Sequence, residues 1–185
     1  MMKHVLYLIV FFLPLCAFAN KNGTQYYVVG DKALKQEEYN KLSRKDRKNF
    51  KCSFRTIWKV QTSKDPQQPQ QTRIDMLSNE ITIIMFVDTT TRMISGSPFF
   101  DAAANSYKEP LKLKSDLKRK KRSFGGKKCY TGIGDTTDGK TAELITATYG
   151  DKRWRIIMIY DQKKMRLKVV RRAYAIFMQT FRFGK

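Results

Sequence analysis

The chain has 185 residues, with 37 Lys and Arg against 16 Asp and Glu, a formal charge of +21 and 42% hydrophobic residues. A surplus that large opposes compaction by self-repulsion and draws the protein toward polyanions. The single histidine is His4, so imidazole chemistry is excluded from every other position.

Met1 to Ala19 has the pattern of a secretory signal peptide. Lys3 and His4 form a cationic start, Val5 to Phe12 is apolar, and Ala17-Phe18-Ala19 supplies the small-x-small cleavage pattern. The apolar run is short for a membrane span, which takes about 20 residues. Cys16 follows Leu13-Pro14-Leu15, and the large Leu15 does not suit a lipidation site. Cleavage after Ala19 is expected to leave Asn20–Lys185 as one exported domain, periplasmic or extracellular, with no later membrane span. The leader carries Lys3 and no acid, so the +21 of the whole chain becomes +20. Cys52 and Cys129 remain as an even pair in a compartment that permits disulfides, and a bridge between them is expected. The loop so closed would contribute roughly 4 kcal/mol by chain entropy.

Gln25–Val29 reads as a short strand closed by Gly30-Asp31. Leu34, Glu38, Tyr39 and Leu42 then fall at helical spacing behind a capping Asp31, predicting a surface helix near 32–48. Lys51 to Gln61 alternates as one half-buried strand, with Cys52, Phe54, Thr56, Trp58 and Val60 on one face. The prolines and glutamines of 62–72 read as an exposed loop. Glu80–Val87 is the best central-strand candidate. A turn at Thr89-Thr90-Thr91 and a strand at Arg92-Met93-Ile94 follow, ended by Gly96-Ser97-Pro98.

The stretch 108–128 holds ten basic residues and two acids. Like charges repel, so it is expected to be a solvated basic loop, with Ser123 to Gly126 supplying flexibility. Thr141–Tyr149 and Arg153–Tyr160 read as strands joined at Gly150-Asp151-Lys152. Trp154, Ile156, Met158 and Tyr160 share one side of the second. A further strand is expected at Met165–Val170, and Ala173–Phe183 fits either a strand or a helix. The fold class is α+β: mostly antiparallel sheet with a C-terminal meander, an N-terminal surface helix and the basic loop.

Without histidine the expected mature chain has no Ser-His-Asp triad, no Cys-His pair and no His-ligated zinc. No cofactor or metal is expected. Asp135-Thr136-Thr137-Asp138-Gly139 lacks the ligand spacing of an EF-hand and reads as a turn. Glu80, Asp88, Asp101 and Glu143 lie in or beside apolar stretches, where burial raises a carboxyl pKa. A hydrolase of anionic polysaccharide needs two such acids, and it is the alternative reading.

The candidate polyanion contacts are Lys118, Arg119, Lys120, Lys121, Arg122, Arg153, Arg155, Arg171 and Arg172. The Lys118–Arg122 cluster also reads as a plain solvated loop, and Arg119-Lys120-Lys121-Arg122 within it resembles a proprotein-convertase site. Arg171-Arg172 with Phe181-Arg182-Phe183-Gly184-Lys185 resembles the tail of an RFamide neuropeptide precursor. That resemblance implies dibasic cleavage, trimming, and conversion of the glycine to an amide. Asn22-Gly23-Thr24 is a glycosylation sequon. The leading expectation is a non-enzymatic, exported binding protein. Its partner would be a cell-envelope glycan, lipopolysaccharide or anionic lipid; export sets nucleic acid aside. Oligomeric state is left open.

Overall fold

The computed structural model describes residues 23–65, 68–89 and 94–184. The expected leader with Cys16, Asn22 of the sequon, and residues 90–93 of the expected turn and strand lie outside the described residues.

Strands β1 (Thr24–Val29) and β2 (Lys32–Lys35) form a hairpin. Gly30 turns it in the left-handed region at φ +59°, a conformation open to glycine at little cost. Asp31 therefore sits in the turn and caps no helix; it pairs with Lys64 at 3.1 Å. The helix expected near 32–48 is replaced by β2 and two short pieces, α1 (Gln36–Asn40) and α2 (Arg44–Arg47). The start of the segment gains a sheet partner, and its apolar stripe is too narrow to hold a longer helix. Tyr39 of α1 stacks on Tyr27 with ring centroids 4.1 Å apart.

Strand β3 (Phe50–Thr56) pairs with β1. The alternation from Lys51 to Gln61 spans a corner rather than one strand. At Ile57-Trp58 the chain leaves one sheet and begins β4 (Lys59–Asp65) in another. The Trp58 N–H donates to Thr56 Oγ1 at 3.1 Å across the corner. The pattern continues because both sheets face one core. Strand β5 (Gln68–Leu77) returns beside β4, so most of the expected loop 62–72 is a hairpin. A register shift between Lys64 and Asp65 accompanies its proline-bearing start, a place where a missing N–H is tolerated.

Next come β6 (Ile81–Thr89) and α3 (Gly96–Lys108). The expected basic loop 108–128 ends in structure: β7 (Lys120–Phe124) and β8 (Lys127–Asp135) pair around Gly125-Gly126. An edge strand leaves its cations in solvent, and that charge hinders pairing with another chain. Strands β9 (Thr141–Tyr149) and β10 (Lys152–Tyr160) follow as a long antiparallel pair. The strand expected at Met165–Val170 is absent. Helices α4 (Gln162–Met165) and α5 (Lys168–Thr180) occupy that stretch, and β11 (Arg182–Phe183) completes the order. The helical spacing of Val170, Ala173 and Phe177, all buried, prevails over strand patterning.

The architecture is α+β and mostly antiparallel. A four-stranded sheet runs β11-β3-β1-β2, and a seven-stranded sheet runs β4-β5-β6-β10-β9-β8-β7. The larger sheet is covered differently on its two faces. One face offers Ile74, Met76, Ile83, Met85, Trp154, Ile156 and Met158 to the four-stranded sheet and α5, through Val28, Cys52, Phe54, Phe177, Phe181 and Phe183. The other face meets α3 and the segment after it, through Phe100, Ala103, Leu113 and Leu117 against Ala142, Leu144 and Ile157.

The disulfide expected between Cys52 and Cys129 is not formed; both are free, buried thiols. Cys52 lies on β3 opposite Val28 and Phe183. Cys129 lies on β8 of the other sheet, and its thiol donates to the Arg122 carbonyl at 3.4 Å. Burial pushes the Cys129 thiol up to about 11. Each sulfur is committed to local packing in its own sheet.

A candidate anion-binding face

Strand alternation sends Trp154 into the core, fully buried, and turns Arg153 and Arg155 to the opposite face, beneath α3. They are not simply solvated there. The Arg153 guanidinium lies 5.2 Å from the Phe99 ring centre. Arg155 lies 5.1 Å from Phe86 and 5.9 Å from Tyr107. Arg73, from the neighbouring β5, approaches the Phe86 ring at 5.8 Å. Stacking on aromatic faces holds guanidinium planes in place, each worth about 0.5–1 kcal/mol where exposed.

Two carboxylates temper this face. Asp88 accepts from Arg155 Nη2 at 3.1 Å and from Gln71 Nε2 at 2.8 Å. Asp75 pairs with Arg73 Nε at 2.9 Å. Burial raises the Tyr107 hydroxyl above its ordinary range. Phe86 lay in the expected strand Glu80–Val87, whereas Gln71, Arg73 and Tyr107 escaped sequence reasoning. The alternation of 71–77 was the only signal for Gln71 and Arg73, and the loop assignment of 62–72 hid its beginning.

Lys118, Arg119, Lys120, Lys121 and Arg122 are all exposed along β7 and the residues leading into it. Arg119 pairs with Asp101 of α3 and lies over Tyr130. The other four make no ion pair among the described residues. Arg171 and Arg172 are exposed on α5, which covers the other face of the large sheet. The nine expected cations therefore fall in three places: the β7 edge, the face beneath α3, and the outside of α5.

The four candidate acids do not form one group. Asp88 lies on the face beneath α3, and Asp101 is on α3 itself, bound to Arg119. Glu80 sits in the β5–β6 turn, its N–H donating to Ser78 Oγ at 3.2 Å. Glu143, 5% exposed, faces α5, where the Tyr174 hydroxyl donates to it at 3.1 Å. Burial raises the Glu143 carboxyl above its ordinary range, opposed by that hydrogen bond and by Arg122. Burial and the neighbouring carboxylate raise Tyr174 strongly. Asp88 and Glu143 thus lie on opposite faces of one sheet.

Asp135 to Gly139 forms the β8–β9 turn, with Gly139 at φ +79°. Hydrogen bonds from Thr136 and Lys140 lower Asp138 to about 2. Among the described residues, no group of three His, Cys, Asp or Glu side chains is placed to hold a metal ion. No described helix is long and apolar enough to cross a membrane.

No protein-family model matches the chain, and no curated protein matches it. It is similar to a crystal structure from Bacteroides thetaiotaomicron VPI-5482, at 9% identity and a TM-score of 0.42. That alignment covers 89% of this chain and 49% of the other, so this chain spans about half the length of that protein.

Proposed function

We infer that this is a non-enzymatic, exported protein that binds an anionic surface or polymer, such as a cell-envelope glycan, lipopolysaccharide or anionic lipid. One observation carries the reading: Lys118, Lys120, Lys121 and Arg122 stand exposed along a sheet edge, in no ion pair among the described residues. An extended strand spaces alternate side chains by about 7 Å along a straight line, which suits a linear polyanion better than a point ligand.

The buried tail favours this reading over a peptide precursor. Phe181 and Phe183 are 0% and 8% exposed, and the Gly184 N–H donates to the Lys51 carbonyl at 2.6 Å. Excision after Arg172 would remove part of the core. The separation of Asp88 from Glu143 gives a paired-carboxylate hydrolase no support.

Heparin and anionic vesicles are suitable probes. The four unpaired cations predict a log–log salt slope of about −2.8, on the single-strand polyanion scale. Replacing Lys118–Arg122 with glutamines is expected to weaken binding at least about ten-fold at low salt while the circular dichroism spectrum is kept. Affinity insensitive to salt, or unchanged in that variant, overturns the reading.

A further inference from the structure

The start of α3 roofs a recess of about 360 Å³ against β8 and β9, lined by Gly96, Phe99, Lys128, Tyr130, Thr146 and Thr148 among others. Even-numbered residues of β9 face α3, as buried Ala142 and Leu144 show, so Thr146 and Thr148 lie on the recess side of the strand and line it. Thr146 is 1% exposed. Both Oγ1 atoms are buried and without a hydrogen-bond partner among the described residues. Buried hydroxyls are ordinarily paired, and leaving one unpaired destabilises a fold.

The surrounding charge is positive. Ser95 makes no side-chain cap and the first turn of α3 holds no acid, so the helix presents uncapped N–H groups and the positive end of its dipole. Gly96 has φ +68° and open space where a Cβ would stand, which leaves the backbone approachable. Lys128 lies at the rim. Arg153 rests on Phe99 with its Nε buried and unpartnered among the described residues. Phe99 and Tyr130 give the recess apolar walls, and its volume exceeds that of a bare oxyanion.

We propose that this recess binds a small organic anion: a carboxylate, sulfate or phosphate carried on a ring of about monosaccharide size. The anionic group meets the α3 N-terminus and the two threonine hydroxyls. The ring lies between Phe99 and Tyr130, and Lys128 closes over the mouth. The site is separate from polymer capture along β7.

Calorimetric titration of the full chain tests this with glucuronate, N-acetylglucosamine 6-sulfate and glucose 6-phosphate. Glucose supplies a ring without charge, and inorganic sulfate a charge without a ring. At least one charged ring is expected to bind about ten-fold or more tighter than both controls, and its identity names the anionic group. Thr146→Val removes the unpaired hydroxyl at nearly constant shape. It is expected to raise Tm while weakening that ligand about ten-fold, the worth of one hydrogen bond to a charged group. Thr146→Ser keeps the hydroxyl and is expected to keep affinity, which separates hydroxyl loss from misfolding. Failure of every charged ring to bind below about 20 mM overturns the proposal. So does equal binding of glucose or sulfate, or wild-type affinity in Thr146→Val. The titration contains no polymer, so it and the heparin experiment fail separately.

Discussion

Beneath α5 and the small sheet, β10 contributes Trp154, Ile156 and Met158, each fully buried. Beneath α3 the same strand contributes Arg153 and Arg155, half-buried and stacked on Phe99, Phe86 and Tyr107. The first face is closed by aromatic packing: Phe177 meets Phe54 at 5.7 Å, Phe181 at 5.7 Å and Phe124 at 6.2 Å. The second holds charged groups against aromatic rings and leaves two hydroxyls without a partner among the described residues. The contrast teaches that one sheet sorts apolar packing from held charge by face, through strand alternation.

The largest expected effect falls on the closed face. Phe177→Ala is expected to cost about 4 kcal/mol by urea unfolding, through lost transfer energy and an unfilled cavity. A cost below about 1 kcal/mol would mean that this face is not the main stabilising layer.

On the other face, Arg155→Leu leaves the 7%-exposed Asp88 with Gln71 as its remaining partner shown by hydrogen bonding. A loss of about 2 kcal/mol is expected. Adding Asp88→Leu should return much of it, because the pair is replaced by apolar groups. If the double variant is no more stable than the single one, the ion pair is not what organises this face.

Glu143 is an exception within the closed face, and it sharpens the comparison. Its pKa is raised in the fold from an ordinary 4.5. The folded state therefore holds the proton more tightly. Stability from that proton is present below the unfolded value and is lost as pH rises through the folded one. Glu143→Gln is expected to stabilise by about 1 kcal/mol at pH 8, with the gain shrinking toward pH 4. A gain that grows on acidification would reverse the sign and refute the argument.

The smallest effect is expected at the β7 edge. Replacing Lys120 and Lys121 with threonine should change stability by less than about 0.5 kcal/mol. The exposed edge should then self-associate more readily, as read by light scattering. A large stability loss would assign these lysines to the fold rather than to contacts.

Periodicity made Glu80–Val87, Thr141–Tyr149 and Arg153–Tyr160 legible as strands, because each is long and its faces differ in polarity. Placing Trp154 in the core and its flanking arginines opposite followed from the same rule. Residues 62–72 misled because prolines and glutamines outweighed an alternation that only sheet neighbours could anchor. The charges of Lys120–Arg122 concealed a strand because an edge needs only one partner. Val170 and Ala173 were divided between two readings until tertiary packing selected the helix. Of the candidate site, the cations were visible as residue types, but their separation into three places was not. Thr146 was invisible: a threonine in a strand gives no sign of whether its hydroxyl has a partner among the described residues.

The pairing of β3 with β11 has a consequence for the order of events. Arg55 N–H donates to Thr180 Oγ1 across 125 residues of chain, and Cys52 and Ser53 pair with Phe183 and Arg182. Synthesis from the N-terminus delivers β1 to β3 long before α5 and β11. Contacts so distant in sequence cannot form early, and loop closure makes them slow when they do. The β3 edge of the small sheet therefore stays unpaired until Arg182 and Phe183 are available, and that sheet is completed after the large one, whose last strand ends at Tyr160.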